Sequence, residues 1–478
     1  MNIGELLDAP MVAEERVRWM QSKLHRWSGK DTTRCFDDMF NLVADPAFLV
    51  VAWRRVRGNQ GSRTAGIDGH TARTIEAGRG MEAFLNEIRT QVKTRAFEPS
   101  PVRERLIPKP GTSRRRRLGI PSVADRVVQA TLKLILEPIF ERDFHSCSYG
   151  FRPNRRPHDA IAKIHHYTKH GYRWVVEGDI EACFESISHS ALLERMRRRV
   201  ADKHVLALVK AFLKSGILTE FGQMKKSLSG APQGEVLSPL LANIALSVLD
   251  DYFAEHWQNT MQTRSMRRWR RRRGLPNWRL IRFADDWVAL VDGTRADAET
   301  LRDEITKVLA PMGLTLSAEK TTVVHLDQGF DFLSHHIQRR HKKGTSKRYV
   351  YTYPSKNAVQ AAKRKVKTLT RRNRHRTLEN LVREINTVLP GWCYYHRHGV
   401  AQRTFDYLGH YTWWRVARWI VKRHKEVPWK RLRREVFTNR WRIVVNGIEL
   451  FNLATVTITR YRYRGHAIPT PWEPACPS

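Results

Sequence analysis

Acidic residues are scarce in this chain. Only 47 Asp and Glu stand against 85 Lys and Arg in 478 residues, a formal net charge of +38. Such an excess of one sign opposes compaction by self-repulsion, so it points to a polyanionic partner. The positive charge is spread along the chain rather than confined to one tail, which favours RNA or DNA over a membrane surface. Cysteine is scarce too. Cys35, Cys147, Cys183, Cys393 and Cys476 are scattered and odd in number, and no CxxC or Cys/His cluster has zinc spacing. They read as small buried hydrophobes in a reducing compartment. Long apolar runs are missing, with none near the length of a membrane span. The N-terminal "MNIGELLDAPMVAEERVRW" has early acids and lacks the apolar core of a signal peptide. A soluble, cytoplasmic protein is expected. No internal repeat occurs at solenoid periods.

What is present is enough apolar material for sizeable cores, 41% of residues, in a chain long enough for about two to four domains. Residues 1–85 read as a basic helical extension, with Asp45-Pro46 starting a helix. Residues 86–350 mix both element types. "VRERLIPKPGTSRRRRLGIPS" predicts a strand, a turn and a returning strand. "LSPLLANIALSVLDDYFAEHW" predicts a helix with Leu241, Ile244, Val248, Leu249 and Tyr252 on one face. "RWVVEGDI" predicts a buried strand ending in a carboxylate, and "RLIRFADDWVALV" a tight hairpin. "RSMRRWRRRRG", 264–274, reads as a solvated basic loop or a phosphate-binding insertion. From 351 to 435 basic helices rich in Trp and Tyr take over, and 436–478 form a short basic tail. Its "RYRYRG" reads as a DNA-contacting tail or a basic edge strand.

Around 174–324 the order is strand, helix, helix, hairpin, helix. That suits an α+β arrangement, a small antiparallel sheet backed by helices. Asp179 ends one strand, and Asp285 and Asp286 sit at the hairpin tip. If those strands are neighbours, three carboxylates converge, and they stay ionised together only with cations between them. Such oxygens suit Mg²⁺, and a pair of ions can activate a hydroxyl and stabilise a leaving oxygen. On a nucleic-acid-binding chain this is polymerase chemistry. Taken singly, a strand-terminal Asp is a turn residue and an Asp-Asp tip is solvated.

The order of several motifs adds to this. "IPKPGTSRRRRLGIPSVADRVVQ", "LEPIFERDFHSCSYGFRPNRRPHDA", "GDIEACFESI", "GAPQGEVLSPLLANI", "RFADDWV", "MGLTLSAEKT", "FDFLSHHI" and "INTVLPGWCYYHRHGVAQRTFDYLGHYTWWRVARW" follow one another. With "FDDMFNLVADPAFLVVAWRRVRGN" before them, this series closely resembles the reverse transcriptase/maturases encoded by bacterial group II introns, over about residues 36 to 435.

The resemblance implies a right-hand polymerase fold: fingers, a palm with an antiparallel sheet, and a helical maturase/thumb domain. It implies two Mg²⁺ ions on Asp179 and Asp285, with Asp286 beside them and the Ile180 carbonyl assisting. Phe184 matches an aromatic steric gate against a 2′-hydroxyl, or else packs in the core. Gln233 would contact the incoming nucleotide, and Gly234 would let the backbone approach. Lys109 and Arg116 would hold the triphosphate. Lys320 matches a recurrent lysine near the palm, or makes a structural salt bridge.

Two substitutions depart from the pattern: Phe283 for a tyrosine, and Glu235 for a small residue, adding negative charge near the nucleotide. The DNA endonuclease domain that many relatives append is not expected, so primers would come from elsewhere, such as nascent strands at replication forks. The implied function is copying intron RNA into DNA (retrohoming) and assisting splicing. Implied partners are intron RNA, an RNA template with DNA primer, target DNA and dNTPs, with the protein nucleoid-associated when acting on DNA. A splicing-only maturase and a relative recruited to host defence or repair are the alternatives.

Overall fold

The structure is a computed structural model that describes residues 2–108, 115–372, 377–423, 427–428, 430–431, 442–465 and 468–473. The chain divides into two compact units. One comprises Met1–Ala160, Val176–Val323 and Arg464–Ser478, the other Ile161–Val175 and Val324–Tyr463. The mixture is α+β, as expected. Among the described residues no helix is long and apolar enough to cross a membrane.

In the first unit the helix Pro46–Gly58 starts where Asp45-Pro46 predicts, the Asp45 side chain accepting from Ala47 N. Proline at the first helical turn loses no hydrogen bond, and the aspartate satisfies an orphan donor. This helix packs against the helices Pro10–Lys30 and Val123–Phe140. Strands β1 (Val102–Pro108) and β2 (Arg115–Ile120) form the predicted antiparallel pair, Ile107 opposite Arg116.

β3 (Trp174–Gly178) ends one residue before Asp179. Two short strands, β4 (Ile217–Leu218) and β5 (Met224–Lys225), complete a sheet of order β2-β1-β4-β5. β6 (Asn277–Phe283) and β7 (Asp286–Asp292) form the expected hairpin, and with β8 (Thr322–His325) make a second sheet of order β6-β7-β3-β8. That order sets β3 beside β7, so Asp179 emerges next to the hairpin.

Behind the hairpin runs the helix Ser238–His256. It is not one-faced: residues 240–247 are all buried, while Val248 and Tyr252 of the expected stripe are only half-buried. The basic run also differs from the loop reading. It is the helix Arg264–Arg272, started by Thr263 accepting from Met266 N and burying no residue.

The second unit holds a three-stranded sheet of β9 (Phe330–Phe332), β10 (His335–His341) and β11 (Arg348–Pro354). The helices Lys356–Arg372, Leu378–His396 and Gln402–Arg423 share a core around Val366, Leu381, Ile385 and Phe405. Of its aromatics, Phe405 and Trp419 are buried, whereas Tyr394, Tyr407 and Trp414 are about half exposed. The "RYRYRG" segment is no strand. Tyr463 stacks on His166, and Arg464 pairs with Asp159 at 2.5 Å.

Candidate active site

The turn between β6 and β7 has two residues, Ala284 and Asp285, flanked by the pair Phe283–Asp286. Ala284 has φ +58. A positive φ at the first turn position alone is the hairpin geometry usually given to glycine, so an alanine there is strained. A clamp from behind holds it. The Arg282 guanidinium, fully buried, donates to Ala284 O at 3.0 Å and to Asn243 Oδ1 at 2.9 Å. Asp250 accepts its other two bonds at 2.9 and 2.5 Å, and both side chains are 0% exposed. Asn243 Nδ2 donates to Gly150 O at 2.8 Å. A Cβ at Gly150 would lie 2.2 Å from Ala284 N, so only glycine lets this backbone back the turn.

Arg282, Asp250, Asn243 and Gly150 are therefore part of the site, and sequence reasoning missed them. A signal existed: Asn243 and Asp250 lie seven residues apart, two turns along one face of a largely apolar helix, and Arg282 directly follows the apolar pair Leu280-Ile281.

Asp179 follows β3. Its backbone is fixed by Ser317 N donating to Asp179 O at 2.8 Å, and Glu181 N donates to Thr315 O at 2.9 Å. These two bonds flank the Ile180–Leu316 bridge and bypass the Ile180 carbonyl. Lys320 Nζ sits 2.6 Å from Asp179 Oδ2, the salt bridge of its structural reading. The Asp285 carboxyl is raised above its ordinary range by burial and by the charge of Asp179, with Arg116 and Arg282 opposing. The nearby Cys183 thiol is pushed up to about 12 by burial first, then by Asp285 and Asp179.

Two carboxylates thus sit in mutual electrostatic reach, with a lysine ammonium standing as the cation on one. Carboxylate oxygens and the Ile180 carbonyl, which the Ser317 and Glu181 backbone bonds leave out, are the hard donors a divalent cation such as Mg²⁺ takes. Among the described residues no group of three or more His, Cys, Asp or Glu converges. Asp286 begins β7, exposed, outside the Asp179–Asp285 pair.

Phe184 lies on the short helix Cys183–Ser186, entered through Ala182 at φ +45. It is 9% exposed, and its ring meets the exposed ring of Phe151 edge-on at 6.4 Å. Ala231 N donates to Phe184 O at 2.7 Å, and Gly119 N to Gln233 O at 2.8 Å. Gly234 has φ +114, and a Cβ there would approach Gly119 O to 2.8 Å. The "APQG" loop is thereby stitched to Phe184 on one side and to β2, which carries exposed Arg116, on the other. Lys109 lies outside the described residues.

Glu235 differs from expectation. It is 6% exposed, near Asp125, Gln129 and Ser238. Burial, then the Asp125 charge, pushes its carboxyl up to about 8. Burial thus disfavours the negative charge that the sequence led one to expect there.

Residues 107–411 match the family described as reverse transcriptase (RNA-dependent DNA polymerase). The chain belongs to that family. This reverse transcriptase is 34% identical over 362 residues to protein YkfC of Escherichia coli K12, covering 71% of this chain and 93% of that one. It is 30% identical over 370 residues to the group II intron-encoded protein LtrA of Lactococcus lactis subsp. cremoris. That match covers 68% of this chain and 60% of LtrA. The putative COX1/OXI3 intron 1 protein of Saccharomyces cerevisiae is 26% identical over 60% of this chain and 38% of its own. These relatives set it among the group II intron-type reverse transcriptase/maturases. The family generally uses divalent metal ions, which the Asp179–Asp285 pair suits, and nucleic acid is its partner class.

Proposed function

We propose that this reverse transcriptase copies intron RNA into DNA and assists the splicing of its group II intron. The observation carrying the polymerase half is the approach of Asp179 and Asp285 at the edge of one sheet, with the Phe184 and Gln233 loops beside them. In this reading β3, β6 and β7 form the palm, β1 and β2 belong to the fingers, and 351–435 are the maturase/thumb domain. Residues 1–85 are the basic extension and 436–478 the tail.

Asp179 and Asp285 hold two Mg²⁺ ions with the Ile180 carbonyl, and Asp286 is a weaker second ligand. When bound, such ions activate a primer 3′-hydroxyl and stabilise the leaving pyrophosphate. Lys320 keeps Asp179 neutralised between turnovers. Gln233 and Gly234 meet the incoming dNTP, Phe184 rejects the 2′-hydroxyl, and Arg116 with Lys109 holds the triphosphate by charge-assisted bonds. Intron RNA, the RNA template with its DNA primer, and target DNA are the polyanions that match the net charge of +38.

The double variant Asp285→Ala/Asp286→Ala tests this. Primer extension on an RNA template should fall to background while RNA binding and assisted splicing persist. Equal collapse of splicing would refute the division of roles.

A further inference from the structure

A second basic site lies away from these carboxylates in sequence, on the helix Pro10–Lys30. The final described segment, 468–473, returns to this helix. Trp472 packs against His25 with ring centroids 5.5 Å apart, and Glu473 pairs with Arg142 at 3.3 Å. Between helix and segment is a groove of about 870 Å³. Arg18, Lys23, Arg26, Lys30 and Arg142 line it, against one acid, Glu473, which already pairs with Arg142. Trp19, on the same wall, is 53% exposed and carries Lys23 Nζ over its ring at 3.5 Å.

This wall combines an exposed ring, Trp19, with cations at 18, 23, 26 and 30 along one helix face. A large exposed tryptophan among cations is poor core and a good platform. Unpaired bases stack on such rings while flanking phosphates meet Arg and Lys. A duplex hides its base faces and offers phosphates alone. A lipid headgroup would use the cations but leave the ring without a planar partner.

We propose that this groove binds an unpaired stretch of nucleic acid strand, a base on Trp19 and adjoining phosphates on Arg18, Arg26 and Lys30. Trp472 and Glu473 complete its wall. The inference rests on the nucleic-acid reading above and adds a single-strand site to it.

The test uses the full chain and ten-nucleotide RNA and DNA single strands, with the matching duplexes, in fluorescence anisotropy. Trp19→Ala should weaken single-strand binding about tenfold, the loss of one base–aromatic stack, and leave duplex binding within about twofold. Arg26→Glu/Lys30→Glu should weaken it further and make its salt slope shallower by about 1.4, near 0.7 per phosphate contact. A loss for RNA, DNA or both supports the site and says which strand it takes. Unchanged single-strand affinity in both variants, or equal loss on duplex, overturns the proposal. Primer extension on a pre-annealed template separates the two ideas. It should survive Trp19→Ala, and its absence in the unaltered chain would count against the polymerase reading instead.

Discussion

Ala284 holds the turn between Phe283 and Asp286 at a φ that costs an L-residue roughly 1–2 kcal/mol, and its strain is confined to the tip that presents Asp285. Phe184 poses the other residue-scale question, because a ring 9% exposed serves equally as core or as a gate. Phe184→Ala should admit rNTPs in primer extension; unchanged discrimination would assign the ring to packing. Glu235 makes a pH prediction. Its folded-state carboxyl is raised from 4.5 to about 8, so between those values the folded chain keeps a proton that the unfolded chain has lost. Stability should fall as pH rises through that window, by at most about 1.4 kcal/mol per unit. Asp125, raised to about 6 by burial, adds to the fall at the acidic end. Glu235→Gln should flatten the curve and be more stable than the parent at pH 8, measured by urea denaturation. A parallel pair of curves would rule the protonated carboxyl out.

At the scale of elements, the hairpin was legible because two short apolar runs, Leu280-Ile281 and Trp287–Val291, are separated by a short break carrying Asp285 and Asp286. Its support was not. The helix Ser238–His256 reads as one-faced by periodicity, yet tertiary neighbours bury all of residues 240–247, and Asn243 and Asp250 become partners of Arg282 only in three dimensions. Asp250→Ala would leave Arg282 buried without its counter-charge. That should cost about 3–5 kcal/mol in chemical denaturation, and polymerase activity should fall with it because the turn loses its clamp. A cost under about 1 kcal/mol would mean that the pair does not close. The helix Arg264–Arg272 was misread for a local reason: a low-complexity run hid both the Thr263 cap and arginine's good helix propensity.

For the whole molecule, the charge of +38 sets how binding responds to salt. If the chain neutralises about 6–10 phosphates of a duplex, affinity should drop about 10³–10⁵-fold between 50 and 200 mM salt. A nearly flat salt dependence in filter binding would disconnect the charge from nucleic acid. The C-terminal "RYRYRG" illustrates the limit of reading charge alone. Its basic look suggested a DNA contact or an edge strand; the segment forms no strand, and Arg464 is taken up by Asp159 and by Asn154 O.

Composition and the order of local motifs were enough to identify a basic reverse transcriptase of α+β build and to single out Asp179 and Asp285 as candidate acids. Net charge, turn chemistry and periodicity act over a few residues or over none in particular, so they survive in one dimension. Tertiary structure alone decided that Glu235 is buried beside Asp125, that Arg282 is caged by Asp250 and Asn243, and that Lys320 meets Asp179 across 141 residues of chain. Desolvation and ion pairing depend on which atoms exclude water from which others, and chain separation says nothing about that.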